Sequence, residues 1–308
     1  MKIITGNASK ELGKLIANKL NVQLSLTQVL KFADGAINVE VESNLCSKEV
    51  YIIQSISPPM NDNLMELLFT IDAVKRSGAK RITTIIPYYG YSRQDRTIKN
   101  NNMQSALNAK LVANLIQTAG VNSVAVIDLH SSQIEGFFDV PLTNLSCFGA
   151  FADSIHTENL AIVAPDIGAI GRARAFAKTL EKKCEVKLSD KIIVIDKYRE
   201  KAGASQVMNV IGEATNKNCV IVDDIVDSGG TLCNAAFTLK NHGARSVISC
   251  ITHGVLSGNA IEKISLSFLD KLVITDTIFH KLEKTYKIKI ISIVNILTHF
   301  IQGGKDAN

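Results

Sequence analysis

Short runs of β-branched and apolar residues alternate along the chain with longer stretches whose apolar positions recur every three or four residues. "MKIIT" precedes "SKELGKLIANKL", and "EVYIIQSI" precedes "NDNLMELLFTIDAVKRSG". "RITTIIPYY" leads, after a polar stretch, to "SALNAKLVANLIQTAG", and "SVAVIDL" follows. The alternation then resumes: "LAIVAPD" before "GRARAFAKTLEKK", "KIIVIDK" before a polar loop, "CVIVDDIV" before "GGTLCNAAFTLKNHG", and finally "RSVISCITHG" and "KLVITD". Apolar strands interleaved with amphipathic helices predict an α/β chain of mainly parallel sheets with helices on both faces. The predicted helices stop at Gly78, Gly120 and Gly243, where a residue tolerant of positive φ ends a helix shortly before the next strand.

The repetition divides the chain into two similar units, residues 1–146 and 147–291, joined near residues 143–155. A last helical pattern, "IVNILTHFIQG", within residues 292–305, is expected to return and pack on the first unit. The most polar segment, "SRQDRTIKNNNMQS" at 92–105, has no period and reads as an exposed, mobile loop.

Composition narrows the class. Of 308 residues, 46% are hydrophobic and 20% charged, which suits a packed globular chain and excludes a disordered one. Trp is absent, so the core has to be built mainly from Ile, Val, Leu and Ala. The net charge of +5 is too mild, and the basic residues too dispersed, to predict a nucleic-acid partner. Six cysteines with no CxxC spacing predict buried thiols rather than a disulfide or metal knot. With no secretory leader and no apolar run of bilayer length, the expected compartment is the cytoplasm, with no membrane partner.

The chemistry concentrates at predicted strand ends. In "VIVDDIVDSGGTL" (220–232), Asp223 and Asp224 close a buried strand, Asp227 follows, and Ser228, Gly229, Gly230 and Thr231 turn into a helix. Ligands of open α/β sheets bind beyond the carboxyl ends of the strands. Backbone N–H groups of such a turn, with the helix start behind them, form a phosphate cradle. Carboxylates would repel the same phosphate but accept from hydroxyls. The ligand predicted for this stretch therefore carries a phosphate at one end and a diol at the other, with Asp223 and Asp224 accepting from ring hydroxyls or coordinating Mg²⁺. Arg172 and Arg174 lie early in a predicted helix, where two bases oppose the dipole and hint at an anionic partner.

That stretch resembles the phosphoribosyl-diphosphate signature of the type I phosphoribosyltransferase fold. Four further motifs occur in the order seen in the ribose-phosphate diphosphokinase family: "IPYYGYSRQDR" (86–96), "DLHSSQIEGFF" (128–138), "PDIGAIGRAR" (165–174) and "IDKYRE" (195–200). The resemblance runs from "FADG" at residue 32 to "THGVLSG" at 252–258. It implies two phosphoribosyltransferase-like domains and a reaction in which ATP gives a diphosphoryl group to O1 of ribose 5-phosphate, leaving AMP. It further implies Lys197 and Arg199 as catalytic residues on a closing flap, and His130 and Asp166 on Mg²⁺. The nucleotide would fall to Arg93, Gln94, Asp95 and Arg96, with Arg96 at the triphosphate and Gln94 nearer adenine. Phe32 and Asp34 would reach the adenine of a neighbouring subunit, which implies a homo-oligomer, at least a dimer and in this family a hexamer.

The chain departs from the family pattern in four places. Ala36 replaces the carboxylate that ends the family's "FxDG" motif, and Ala169 replaces a glycine. The segment "TIKNNNMQSALNAK" (97–110) lacks the arginines that serve phosphate activation and ADP inhibition, so inhibition of that kind is not expected. After Arg199 the flap reads "EKAGASQ", without the extra arginines and prolines common in relatives. Two other readings stay open at this point. A base phosphoribosyltransferase would use the cradle but has no need of "RQDR", "DLH" and "DKYR". A weak or inactive regulatory homologue is favoured by Ala36 and the altered loop, and opposed by the intact His130, Asp166, Lys197, Arg199 and Asp223.

Overall fold

The computed structural model describes residues 1–42, 44–97, 99–100, 103–155, 158–184, 187–189, 191–198, 207–281 and 286–304. The chain forms two compact units, the first from residues 1–146 with 277–280 and 293–304, the second from residues 147–276 with the described part of 281–292.

The first unit is built on a five-stranded parallel sheet. Its elements are β1 (Lys2–Thr5), α1 (Lys10–Leu20), β2 (Thr27–Lys31), β3 (Ile37–Val41), β4 (Glu49–Ile53), α2 (Met60–Arg76), β5 (Arg81–Ile86), β6 (Lys99–Asn100), β7 (Met103–Gln104), α3 (Asn108–Ala119), β8 (Ser123–Ile127) and β9 (Leu142–Leu145). The sheet order is β1-β4-β5-β8-β9, every pair parallel. Residues two apart share a face. Ile4, Val50, Ile52, Ile82, Ile86, Val124 and Val126 accordingly pack with Leu67, Ile71 and Val74 of α2 and Val112 and Ile116 of α3. The alternate residues Ile3, Ile53, Ile85, Ala125 and Ile127 are buried as well, so both faces of the sheet are covered.

The second unit holds a seven-stranded sheet. Its elements are α4 (Phe148–Ala152), β10 (Leu160–Ala164), α5 (Ile170–Cys184), β11 (Ile193–Tyr198), β12 (Val207–Ile211), β13 (Asn218–Val226), α6 (Gly230–Asn241), β14 (Ser246–Gly254), α7 (Ala260–Leu266), β15 (Lys271–Thr275) and β16 (Ile288–Ile291). The order is β12-β11-β10-β13-β14-β15-β16, parallel except for β11 with β12. One face packs on α6 and α7 through Cys219, Ile221, Val247, Ile251, Leu239 and Ile264. On the other face α5 lies against β10 and β13, and Phe176 meets Phe148 edge-on with centroids 5.5 Å apart. The expected α/β fold with helices on both faces of mainly parallel sheets is the fold observed.

The chain ends in α8 (Val294–Ile301), which packs against α1 in the first unit, where Lys19 donates to Asn295. Among the described residues no helix is long and apolar enough to cross a membrane.

The details depart from the sequence reading in several places. The segment at 92–105 holds a small antiparallel pair, β6 with β7, where an unstructured loop was expected. "FADG" sits at the tip of an antiparallel hairpin, β2 with β3. Cys147, Cys219 and Cys250 are buried as expected, but Cys46 is exposed. Burial pushes the Cys219 thiol up to about 11, which leaves it protonated and unreactive near neutral pH.

Candidate active site

In the second unit, β13 and β14 run side by side to Val226 and Gly254 and deliver Asp223 and Asp224 near the sheet's carboxyl edge. Asp224 is 2% exposed, whereas the Asp223 side chain keeps 25% of its surface. One nitrogen of Arg172, Nη1, sits 2.9 Å from Oδ1 of Asp223 and 3.0 Å from Oδ1 of Asp224. The Asp224 backbone N–H also donates to Oδ1 of Asp223, at 2.9 Å. Burial, followed by the neighbouring Asp224 charge, raises the Asp223 carboxyl to about 7, while Arg172 acts in the opposite direction.

Beyond β13 the chain turns through Asp227 and Ser228. Gly229 precedes α6 at φ +76°, a left-handed conformation that side chains other than glycine resist. A Cβ added at Gly230 would meet no protein atom within 4 Å, so the backbone is open to a ligand there. Gly229, at the N-cap of α6, offers no side chain to cap its first N–H groups, and Thr231 lies in that first turn. The turn is pinned from outside: Val255 N–H and Leu256 N–H donate to the Val226 carbonyl, and Ser257 Oγ donates to Asp227. One oxygen of Asp227 therefore serves the turn itself.

At the end of β10, Asp166 caps the short helical turn 167–169, its Oδ1 accepting from the Ala169 N–H at 3.1 Å. That turn runs directly into α5, which carries Arg172. Lys197 lies on β11, in register with Met208 of β12. Arg199 lies outside the described residues, as does most of the expected flap.

In the first unit, Arg93, Gln94 and Arg96 are exposed and Asp95 half-buried, in the segment after β5. The segment is held from both sides. Gln94 accepts from the Asn108 side chain and, through its carbonyl, from the Ala109 N–H at the start of α3. Gln133 Nε2 donates to Asp95 Oδ2 at 2.8 Å. His130 follows β8 after Asp128, whose φ is +37°, unusual for a residue with a side chain. The Asp128 N–H is fixed by the Leu145 carbonyl and the Leu129 N–H by Asn144.

At the tip of the β2–β3 hairpin, Phe32 N–H donates to the Ala36 carbonyl, and Ala36 N–H donates to Asp34 Oδ1 at 3.0 Å. Gly35 takes φ +92° and Phe32 is 55% exposed. Lys31 pairs with Asp62 of α2 at 2.7 Å and ties the hairpin down. A cavity of about 380 Å³ near this hairpin, lined among others by Asn7, Lys31, Asp62, Glu66 and Phe279, contains none of the residues expected to bind substrate.

Residues 1–120 match the model of the N-terminal domain of ribose phosphate pyrophosphokinase, and residues 184–304 that of the phosphoribosyl synthetase-associated domain. A ribose-phosphate pyrophosphokinase of Rhizobium meliloti is 46% identical over 96% of this chain and 94% of its own length. One of Campylobacter jejuni is 47% identical over 98% of this chain and 94% of its own length. The chain belongs to the ribose-phosphate pyrophosphokinase family. The crystal structure of phosphoribosylpyrophosphate synthetase from Mycobacterium smegmatis superposes with a TM-score of 0.89 at 31% identity, covering 98% of this chain and 97% of that one. A lone base phosphoribosyltransferase reading gives way, since the likeness to pyrophosphokinases spans both units.

The family's reaction needs a divalent metal. Among the described residues no cluster of three or more His, Cys, Asp or Glu is arranged to hold one. A hard cation that keeps waters and takes phosphate oxygens from its substrate requires only one or two protein ligands. The imidazole at 130 and the strand-end carboxylate at 166 are each, within their own unit, a donor of the type such a cation takes.

Within each unit the expected residues gather as follows. Asp223 and Asp224 stand together, and the cradle 227–231 follows on one turn. Residues 93–96 are bound to the turn that follows His130 through Gln133. Sequence reasoning missed Gln133 and Asn108, for which no local signal exists, and assigned Arg172 no partner, although its position against the helix dipole was a signal.

Proposed function

We propose that the chain catalyses the magnesium-dependent transfer of the β,γ-diphosphoryl group of ATP to O1 of ribose 5-phosphate, giving 5-phosphoribosyl 1-diphosphate and AMP. The observation that carries this reading is the acid pair at the end of β13, Asp224 buried and Asp223 partly so, followed by the open turn into α6, in a chain related over nearly its whole length to ribose-phosphate pyrophosphokinases.

In this reading the second unit takes the sugar. Backbone N–H groups from Ser228 to Thr231 receive the 5-phosphate. Asp223 and Asp224 accept from the ring hydroxyls, and Asp227 braces the turn. The first unit takes the nucleotide: Arg96 meets the triphosphate, Gln94 lies nearer adenine, Arg93 and Asp95 complete that segment, and Phe32 with Asp34 receives adenine from a neighbouring copy. The 55% exposure of Phe32 suits a residue completed by a second chain. The protein would therefore work as a homo-oligomer, a dimer at least and a hexamer by family pattern, in the cytoplasm and with no nucleic acid as partner.

Attack by O1 on the β-phosphorus builds negative charge on the equatorial oxygens. Lys197 and Arg199 are the cations we assign to that charge. His130 and Asp166 are the residues that would hold magnesium, which would supply neutralisation of phosphate oxygens. Catalysis by placement and charge needs no obligatory general base.

The test is incubation with ATP, ribose 5-phosphate and Mg²⁺. Equimolar AMP and phosphoribosyl diphosphate are expected. A folded protein that forms no AMP would overturn the proposal.

A further inference from the structure

Arg172 stands where helix electrostatics disfavour it. It falls in the first turn of α5, whose N-terminus already carries partial positive charge. What holds it there is visible: a single nitrogen, Nη1, lies within 3.0 Å of both Asp223 and Asp224. The guanidinium is itself largely enclosed, its side chain 16% exposed. Two carboxylates on adjacent residues, one of them almost fully buried, repel each other unless a cation intervenes. Arg172 is that cation.

The geometry does more than neutralise. Arg172 touches one oxygen, Oδ1, of each acid. Both carboxylates are thereby turned to present one oxygen to the guanidinium, and Asp223 is the more exposed of the two acids. The arginine also joins two strand-end loops. It is carried by the helix that begins just after the Asp166 cap at the end of β10, and it grips the acids of β13, the strand paired with β10.

We propose that Arg172 is a positioning residue for sugar selection, holding Asp223 and Asp224 as a co-oriented pair of acceptors and so setting the preference for a sugar phosphate with an intact cis-diol over its 2-deoxy analogue. The inference rests on the sugar assignment made above. An acceptor pair fixed in place loses a hydrogen bond when a hydroxyl is absent, and sites of this kind discriminate strongly. If the pair loses its cation, the two acids are no longer held in one orientation, and the missing hydroxyl matters less.

The experiment compares wild type, Arg172→Ala and Arg172→Lys on ribose 5-phosphate and 2-deoxyribose 5-phosphate at saturating ATP and Mg²⁺. In Arg172→Ala the preference for the intact diol should fall about tenfold or more, with KM for ATP within about twofold of wild type. Arg172→Lys, which keeps a charge but not the planar fork, should recover part of the preference. A variant that had only lost stability would lower activity on both sugars alike. Thermal unfolding and circular dichroism establish that each variant is folded, and Arg172→Lys carries the test if Arg172→Ala does not fold. Calorimetric binding of the two sugar phosphates without ATP gives the same ratio should the wild type transfer no diphosphate. An unchanged ratio in a folded variant overturns the inference, as does a wild type that binds neither sugar.

Discussion

Gln133 Nε2 donates to the Asp95 carboxylate at 2.8 Å, joining the turn that follows β8 to the segment that follows β5. The bond is exposed, so its contribution to global stability is small. Its value is local, because it holds the segment that also carries Arg93 and Arg96. Gln133→Ala is expected to raise KM for ATP about five- to tenfold, as loss of about 1 to 1.4 kcal/mol of positioning would. KM for ribose 5-phosphate should stay near wild type. Steady-state kinetics with each substrate varied in turn checks both, and equal changes in the two KM values would contradict the assignment.

The Asp223 carboxyl gives the protein a pH signature. Its ordinary value of 3.8 is raised to about 7, first by burial and then by Asp224. The folded chain therefore holds this proton more tightly than the unfolded chain does. The resulting stability is fully present below about pH 4 and is lost as pH rises through about 7. Asp223→Asn removes the group. The melting temperature of wild type minus that of Asp223→Asn, measured without substrates, should thus decline between pH 5 and pH 8. A flat or rising difference would show that the acid pair is ionised throughout.

The alternation of strands and helices and the acid–glycine strand end were legible in the sequence because both are local. Val220 to Val222 are apolar in succession, as a strand covered on both faces requires, and Gly229 marks a turn that only its conformation explains. Contacts made by chain reversal were not legible. Arg172 lies 51 residues from Asp223 and Gln133 lies 38 from Asp95, and no spacing rule links them. The β2–β3 hairpin was missed for another reason. Its strands carry partly exposed, mixed residues such as Gln28, Lys31, Asn38 and Glu40, so the apolar signal that exposes a core strand is weak. Asp166 reads as a metal-side acid by resemblance and as a cap in the structure, and the two roles use different lone pairs.

Phe176 marks the packing on which the sugar side depends. It is fully buried on α5, the helix that carries Arg172, and meets Phe148 edge-on. Phe176→Ala should destabilise by about 3–5 kcal/mol. The denaturant midpoint of the second unit reports the loss, and a change below about 1 kcal/mol would mean that α5 is not anchored through this ring.

The segment 97–110 lacks arginine altogether. Phosphate-rich effectors bind best to the bidentate fork that arginine supplies. ADP is therefore expected to inhibit only by competing with ATP. Inhibition patterns at several fixed ATP concentrations decide the matter, and a strong non-competitive component would reveal a second nucleotide site.

Lys197 is the residue on which turnover should depend most. Its backbone is paired within the β11–β12 ladder, in register with Met208. β12 closes one edge of the sheet, with β11 next to it, so a change at Lys197 leaves the central strands β10, β13 and β14 untouched. Removing a cation that meets charge present only in the transition state lowers kcat about 10²–10³-fold and leaves ground-state binding nearly intact. Lys197→Ala is accordingly expected to lose AMP formation to that extent or beyond. Its melting temperature and its affinity for ribose 5-phosphate should match wild type. Calorimetry and a direct AMP assay on one preparation separate the two effects. Full turnover in the variant would remove Lys197 from the mechanism, whereas loss of sugar binding together with turnover would make it a ground-state contact.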